Sequence, residues 1–583
     1  MSGPVSTVAA LQDIYTPQAL AEQSLRWESL LDKFQALYGA PAQFVARSPG
    51  RVNIIGEHID YSLYSVLPMA MTSDVIIAVS TDLEPIKEGT YKIKIANVAN
   101  ETFPTREFDI PYSDVEIDAT KAEWTNYFKS GLRGALQLLR KKYGADFKPK
   151  SMQVLMDGTV PVGGGLSSSA AFVSASALAV MVANGERDVD KQALTEVAIV
   201  SERAVGVNSG GMDQSASVFS ERGSALLVSF VPCLSARPVS FPETDPELCF
   251  MVAQSFVTSN KQETGPIHYN LRVVECSLAA AYLNAKLCAK GTELPKDAGP
   301  LGVSLRGFHD NYFKGSSLSM QEQLNELVDL TKATLTQEEG YTLEEVAAGS
   351  GIPVEELRAR FLSSFPVRAE RYKLRQRALH VFTEAWRVLQ FLFMLEHPEE
   401  FPDEVPGKAP GENPDENLGE DPSEVSGEDS EEDSAEDSAE DSDEGSGEDL
   451  GERPGGGSGE GPGEGSDEEE YVMRYNDKLG ALLNETQDSC RDLYECSCPE
   501  LDEICTIARA AGSYGSRLTG AGWGGCTVHL VSVDKVDDIR SALLEDYYAK
   551  RHLNVRGLED AIVVSRPMNG SAVYVVKDGK IQV

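Results

Sequence analysis

The chain has 583 residues, too many for one hydrophobic core and enough for two or three domains of ~100–200 residues each. Its formal net charge is −40, but residues 403–470 hold 28 acidic and 2 basic side chains, which leaves −14 for the other 515 positions. A folded part that is only moderately acidic excludes a large nucleic-acid-binding face. The most apolar stretch, Val388–Leu395, falls far short of the ~20 residues of a membrane span. The opening MSGPVSTVAALQDIY lacks a basic region followed by an apolar run, so no signal peptide is expected. The odd count of nine cysteines suggests reduced thiols and a cytoplasmic home. Cys490, Cys496, Cys498 and Cys505 cluster without a CxxC pair and are expected to pack in helices rather than bind zinc.

In chain order, residues 1–40 read as helical. Phe44–Arg47 reads as a strand entering a turn at Ser48-Pro49-Gly50. The segment Gly50-Arg51-Val52-Asn53-Ile54-Ile55-Gly56-Glu57-His58-Ile59-Asp60-Tyr61 then runs from a strand-like half into a dense polar cluster. Glu57, His58 and Asp60 offer acceptors and one switchable donor within four residues, which suits a polyhydroxy ligand; a polar surface turn is the alternative. Val75–Ser80, Lys92–Ala96 and Met152–Met156 read as strands, and Trp124–Arg140, Ser168–Ala183 and Lys191–Ala204 as helices. That mixture indicates an α/β or α+β layer fold.

Val160-Pro161-Val162-Gly163-Gly164-Gly165-Leu166-Ser167-Ser168-Ser169-Ala170-Ala171 carries the sharpest chemical signal. Three glycines let the backbone approach a ligand closely, and the serines open a small-residue helix whose unpaired N–H groups attract anions. The pattern suits a di- or triphosphate, with serine hydroxyls free to cap, to touch phosphate or to ligate Mg²⁺. No Gly-Lys-Ser/Thr follows, so it is not a Walker A loop, and the His-Arg-Asp and Asp-Phe-Gly signatures of protein kinases are absent.

Val207-Asn208-Ser209-Gly210-Gly211-Met212-Asp213-Gln214 places an Asp after a tight bend; taken alone, Asp213 reads as a helix cap, with a catalytic base as the alternative. Upstream, Glu202 sits on a helix and could hold a metal. A strand at Ala225–Phe230 precedes a second unit that begins near residue 245. Thr342–Leu357 scans like a helix-turn-helix, but Glu355 and Glu356 open its second helix, the wrong charge for DNA, so it is read as a packing element. Residues 368–397 form a long helix with Leu379, Phe382, Trp386, Leu389 and Phe393 on one stripe. The acidic 403–470 segment cannot bury enough apolar surface to offset ordering entropy and reads as a disordered insert before a second helix near Tyr471. Gly512–Cys526 holds six glycines in fifteen residues, again a sign of close backbone approach, and leads into a strand at Thr527–Val531.

Together these motifs resemble those of the GHMP small-molecule kinases, in the family's order, and the Gly50–Tyr61 run resembles the galactokinase signature within it. The similarity spans roughly residues 20–400 and 471–580, is closest to fungal galactokinases, and has no counterpart for the acidic insert.

The resemblance implies an α+β fold of two domains, 20–245 like the second domain of ribosomal protein S5 and 246–583 ferredoxin-like, with the site in the cleft. It implies ATP-dependent phosphorylation of the C1 hydroxyl of galactose, with Mg²⁺, by a cytoplasmic monomer. Asp213 matches the family's base and Arg51 the cation between that carboxylate and the transferred phosphoryl group. Glu57, His58, Asp60, Gly210 and Tyr269 would hold the sugar. Gly163, Gly164, Gly165, Ser167, Ser168 and Ser169 would wrap the ATP phosphates, Ser169 and Glu202 would face Mg²⁺, and Trp124, Ser259, Asn260 and Lys261 would contact the nucleotide. The last glycine-rich run would close over sugar and phosphates. Two other readings stay open: a galactose- and ATP-dependent co-inducer that contacts a transcriptional repressor, and an N-acetylgalactosamine kinase.

Overall fold

The computed structural model describes residues 3–582 apart from 82, 84–87, 119–120, 122, 162, 204–209, 258–264, 365, 402–473, 552–560 and 578. The acidic insert expected at 403–470 lies outside the described residues.

The strands, in chain order, are β1 (Ser6–Val8), β2 (Phe44–Ile55), β3 (Leu67–Ser80), β4 (Thr90–Asn97), β5 (Arg106–Pro111), β6 (Met152–Gly158), β7 (Ser224–Ser229), β8 (Ser235–Ser240), β9 (Leu248–Gln254), β10 (Gly515–Thr519), β11 (Cys526–Ser532), β12 (Ile562–Ser565) and β13 (Ala572–Val575). Seven form a mixed sheet in the order β1-β13-β2-β3-β6-β4-β5, and four form an antiparallel sheet in the order β10-β11-β9-β12. Helices separate β9 from β10 and β11 from β12, and β11 lies between β9 and β10, so the smaller sheet has split-βαβ, ferredoxin-like topology.

Strand alternation assigns the two faces of the large sheet. Ile76 and Ala78 of β3 face helix α1 (Pro17–Tyr38) through Trp27, Leu30 and Phe34, whereas Val75, Ile77 and Val79 point into the main core. That side is covered by α2 (Thr125–Tyr143), α3 (Ser168–Ala183), α4 (Lys191–Arg203) and α5 (Met212–Phe219). Helix α3 is built mostly of Ala, Ser and Val and is buried nearly all round. On the small sheet, Met251, Ala253 and Val531 pack under the helices Pro499–Ala510 and Val536–Leu543, and Phe250, Val252 and Leu530 join the main core.

Several expectations change. The first 40 residues are not all helical: Ser6–Val8 pairs in parallel with β13. The turn expected at Ser48-Pro49-Gly50 is strand, because β2 absorbs the proline with a register shift between Pro49 and Arg51. A Cβ on Gly50 would meet the Leu166 carbonyl oxygen at 2.9 Å, so that glycine serves close approach and not a reversal. The helix expected over 368–397 begins at Leu374. Thr342–Leu357 falls on two short helices, Leu343–Ser350 and Val354–Phe361, whose Leu343, Val346, Leu357 and Phe361 are buried as packing residues. All nine cysteines are free thiols, and among the described residues no group of His, Cys, Asp and Glu is arranged to hold a metal ion by itself.

Candidate active site

β2 delivers Arg51 to the start of α3. Its Nε donates to Asp213 Oδ1 at 2.8 Å, its Nη2 lies 2.7 Å from the same oxygen as an ion pair, and its Nη1 donates to the Gly165 carbonyl at 2.6 Å. One guanidinium thus ties the acid after the Gly-Gly bend to the glycine-rich loop, a fork that only arginine presents. Arg51 is buried while the Asp213 carboxylate keeps 19% exposure, enough to meet a ligand. The cap expectation for Asp213 is corrected: Gly211, at φ 111°, occupies the N-cap, and Asp213 lies inside the first turn of α5 with its side chain turned to Arg51.

The glycine-rich loop is pressed against the last glycine-rich run. Gly165 has φ 74°, and a Cβ there would meet the Thr519 carbonyl at 2.9 Å. Ser167 occupies the N-cap position of α3 in the left-handed region at φ 61° without a side-chain capping bond, and its hydroxyl is buried without a partner. Ser169 Oγ donates to Glu202 Oε1 at 2.5 Å, and Gln214 Nε2 donates to Glu202 Oε2. Gly163 is exposed and Ser168 half-buried beside them. Helix N-terminus, unpaired hydroxyl, arginine and carboxylate together fit a polyphosphate with a hard cation, whose ligands are oxygens. Trp124 stacks on Phe172, one turn along α3 from the serines, with ring centroids 6.2 Å apart and planes 14° from parallel. Ser259, Asn260 and Lys261 lie outside the described residues.

Glu57, His58 and Asp60 form a buried turn between β2 and β3 rather than a polar surface turn. Asp60 Oδ2 accepts the Gly210 N–H at 3.1 Å, and burial first, then the Asp213 carboxylate, push its carboxyl up to about 6 against the pull of His58. His58 bonds Tyr61 Oη through Nδ1 at 3.0 Å, and its Nε2 donates to the Ala521 carbonyl at 3.1 Å. Burial alone would lower His58; Cys496, Glu57 and Asp60 outweigh it and raise its pKa. Tyr269 opens the helix Tyr269–Leu287, its ring 5.6 Å from that of His58 and 5.5 Å from that of Tyr61. Burial, then Asp60, Asp213, Glu202 and Glu57, push its phenol well up. Glu57 Oε2 pairs with Arg517 and accepts the Gly520 N–H at 3.0 Å.

The structure therefore brings Arg51, Asp213, Gly165, Ser169 and Glu202 to one end of this region, and His58, Asp60, Gly210 and Tyr269 to the adjoining one. Sequence reasoning missed several partners. Arg517, within the last glycine-rich run, was passed over. His380, Glu384 and Arg387 recur at steps of four and three among buried apolar residues, and with Arg377 they make a buried polar stripe that could have been noticed. Tyr494 and Trp523 close the ring cage about His58, with centroids 5.0 and 5.8 Å away; nothing in their local sequence marks them.

Comparison with known proteins gives concordant matches. Three family profiles match in order: "Galactokinase galactose-binding signature" over residues 32–81, "GHMP kinases N terminal domain" over 126–221 and "GHMP kinases C terminal" over 475–550. A Schizosaccharomyces pombe galactokinase is 36% identical, covering 98% of this chain and 99% of its own. A Saccharomyces cerevisiae galactokinase is 37% identical over 96% of each chain, and one from Dictyostelium discoideum 37% identical over 94% of this chain and 92% of its own. The crystal structure of Lactococcus lactis galactokinase complexed with galactose superposes with a TM-score of 0.56 at 20% identity, covering 94% of this chain and 99% of that one, a likeness of fold.

Proposed function

The chain belongs to the galactokinases of the GHMP kinase family, and from that premise we propose that Arg51 and Asp213 carry its phosphoryl transfer. The protein is an enzyme that transfers the terminal phosphoryl group of ATP to the C1 hydroxyl of galactose, giving galactose 1-phosphate. The observation that carries the residue assignment is the Arg51 fork, which joins Asp213 to the Gly165 carbonyl of the phosphate loop.

In this reading His58, Asp60, the Gly210 backbone, Tyr269 and Glu57 hold the sugar. Asp213 accepts the proton of the attacking hydroxyl. Arg51 orients the Asp213 carboxylate and offsets charge that builds on the phosphoryl oxygens, the electrostatic task that dominates phosphoryl transfer. The start of α3, with Gly163, Gly164, Gly165, Ser167 and Ser168, cradles the phosphates, and Trp124 flanks the adenine. Ser169 and Glu202 would hold Mg²⁺, which neutralises phosphate charge when bound; their oxygens suit it. We assign the domains as 20–245 and 246–583, with β13 returning to the first sheet. The nine free thiols favour a cytosolic home, and among the described residues no helix is long and apolar enough to cross a membrane.

The test is Asp213→Ala in an ADP-release assay with ATP, Mg²⁺ and galactose, glucose, N-acetylgalactosamine or no sugar. We expect parent turnover with galactose, kcat reduced at least ~10³-fold in the variant, and galactose affinity nearly unchanged. Near-normal kcat would remove Asp213 from the base role.

A further inference from the structure

The turn that carries Glu57, His58 and Asp60 lies near the start of the chain, yet its backbone is held by side chains from more than 300 residues away. Glu384 Oε1, on the helix Leu374–Glu396, accepts two successive N–H groups, Gly56 at 2.8 Å and Glu57 at 3.1 Å. His380, one turn earlier, donates from Nε2 to the Glu57 carbonyl at 3.0 Å, and its Nδ1 accepts from Ser489 at 2.9 Å. Arg517 donates to the carbonyls of Asn53 and Ile54 at 3.1 and 2.8 Å, as well as pairing with the Glu57 carboxylate. The N–H groups of the turn are thus claimed by an anion, and the carbonyls just before it by a cation.

Glu384 is fully buried, and its second oxygen is committed elsewhere: Oε2 accepts from Arg387 Nε at 2.9 Å and from Thr486 Oγ1 at 2.9 Å. Burial opposes its charge, but Arg387, His380, Arg517 and the Gly56 N–H hold the carboxyl down at about 2. The two oxygens therefore have separate tasks. One is neutralised within the helical layer and the other grips the turn. A buried carboxylate is costly to maintain unless paired, and an apolar residue would pack this helix as well. What an apolar residue could not supply is the acceptor for two converging amides.

We propose that Glu384 is a positioning residue for sugar recognition, whose Oε1 sets the backbone of the Gly56–Glu57 turn and so aims Glu57, His58 and Asp60. The proposal rests on the reading of that turn as the sugar site. It makes galactose affinity depend on an oxygen at the Oε1 position, not on the Glu384–Arg387 charge pair.

Two conservative variants separate these dependences in the full-length protein. Glu384→Gln keeps a carbonyl oxygen for the amides and gives up the charge on Arg387. Glu384→Asp keeps the charge and withdraws it from the turn by one methylene. Galactose KM, ATP KM and kcat are measured for both, with His58→Ala alongside and thermal unfolding as the check of folding. We expect Glu384→Asp to raise galactose KM about 10–100-fold with ATP KM within twofold of the parent, and Glu384→Gln to raise it less than about threefold. The reverse order, or galactose and ATP KM rising together, overturns the proposal and leaves Glu384 as part of a packed ion pair. If His58→Ala raises galactose KM while Glu384→Asp does not, this proposal alone falls. If His58→Ala leaves galactose KM unchanged, the sugar-site reading falls and takes this proposal with it.

Discussion

Gly210 offers a sharp steric test of the sugar turn. A Cβ built there would lie 2.7 Å from Asp60 Cγ and 2.8 Å from the Asp60 carbonyl carbon, and closer still to Oδ2. Carbon atoms in contact settle at ~3.5–4.0 Å, so Gly210→Ala requires a separation of about 1 Å. Because the clash reaches the backbone of Asp60, a side-chain rotation cannot relieve it. Gly210 is also outside the left-handed region, unlike Gly211, so alanine brings no intrinsic backbone penalty there. The variant therefore isolates displacement of Asp60 and loss of the 3.1 Å bond from the Gly210 N–H. A misplacement of ~1 Å at a reacting centre costs about 10²-fold in rate, or ~2.7 kcal/mol of transition-state stabilisation. The assay is kcat/KM for galactose at saturating ATP, followed by ADP release, with ATP KM measured separately. We expect a loss of about 10²-fold on the galactose side and ATP KM within a factor of two. A Gly210→Ala enzyme within threefold of the parent would refute the placement of Asp60 against the sugar.

Two further outcomes follow from the same geometry. Arg51→Lys keeps the charge but cannot reach Asp213 and the Gly165 carbonyl at once; kcat should fall at least about 10²-fold, and retention of a third of parent kcat would show that the fork is dispensable. Asp60, pushed up to about 6, binds an extra proton in the folded state between its ordinary 3.8 and about 6, so it withdraws stability as pH rises through that window. Asp60→Asn should therefore raise the melting temperature at pH 7 by removing a penalty of about 1–3 kcal/mol, while kcat/KM for galactose falls and loses its decline below pH 6. A lower melting temperature at pH 7 would reject the buried-carboxylate account.

Where neighbours in sequence are neighbours in the site, the sequence was readable. The glycine-serine loop and the Glu-His-x-Asp turn each carry their chemistry within a dozen residues. Asp213 was read less well, because the choice between cap and base depended on Gly211 taking the left-handed cap position. Pro49-Gly50 was misread as a turn because both residues usually punctuate strands; here a bulge absorbs the proline and the missing Cβ admits Leu166. Glu384, His380 and Arg517 were invisible as partners of the turn because the groups they hold lie 323 to 464 positions away. Local pattern carries no record of such pairings; only charged residues spaced to fall on the buried face of a helix hinted at one.

The return of β13 to the first sheet sets the order in which the molecule can be finished during synthesis. Arg47 Nη1 of β2 donates to the Asn569 and Gly570 carbonyls, 522 and 523 residues later, and residues 44–47 pair with 572–575. Until residues 572–575 leave the ribosome, this half of β2 is an open strand edge, beside an Arg47 that has not met its carbonyls. The sugar signature is made long before it can settle: its strand waits on residues 572–575, and its turn waits on Glu384 and Arg517. Across the 523 residues that separate Arg47 from Gly570, the nascent chain therefore carries the motif without the pocket, and the pocket follows only once β13 has been made.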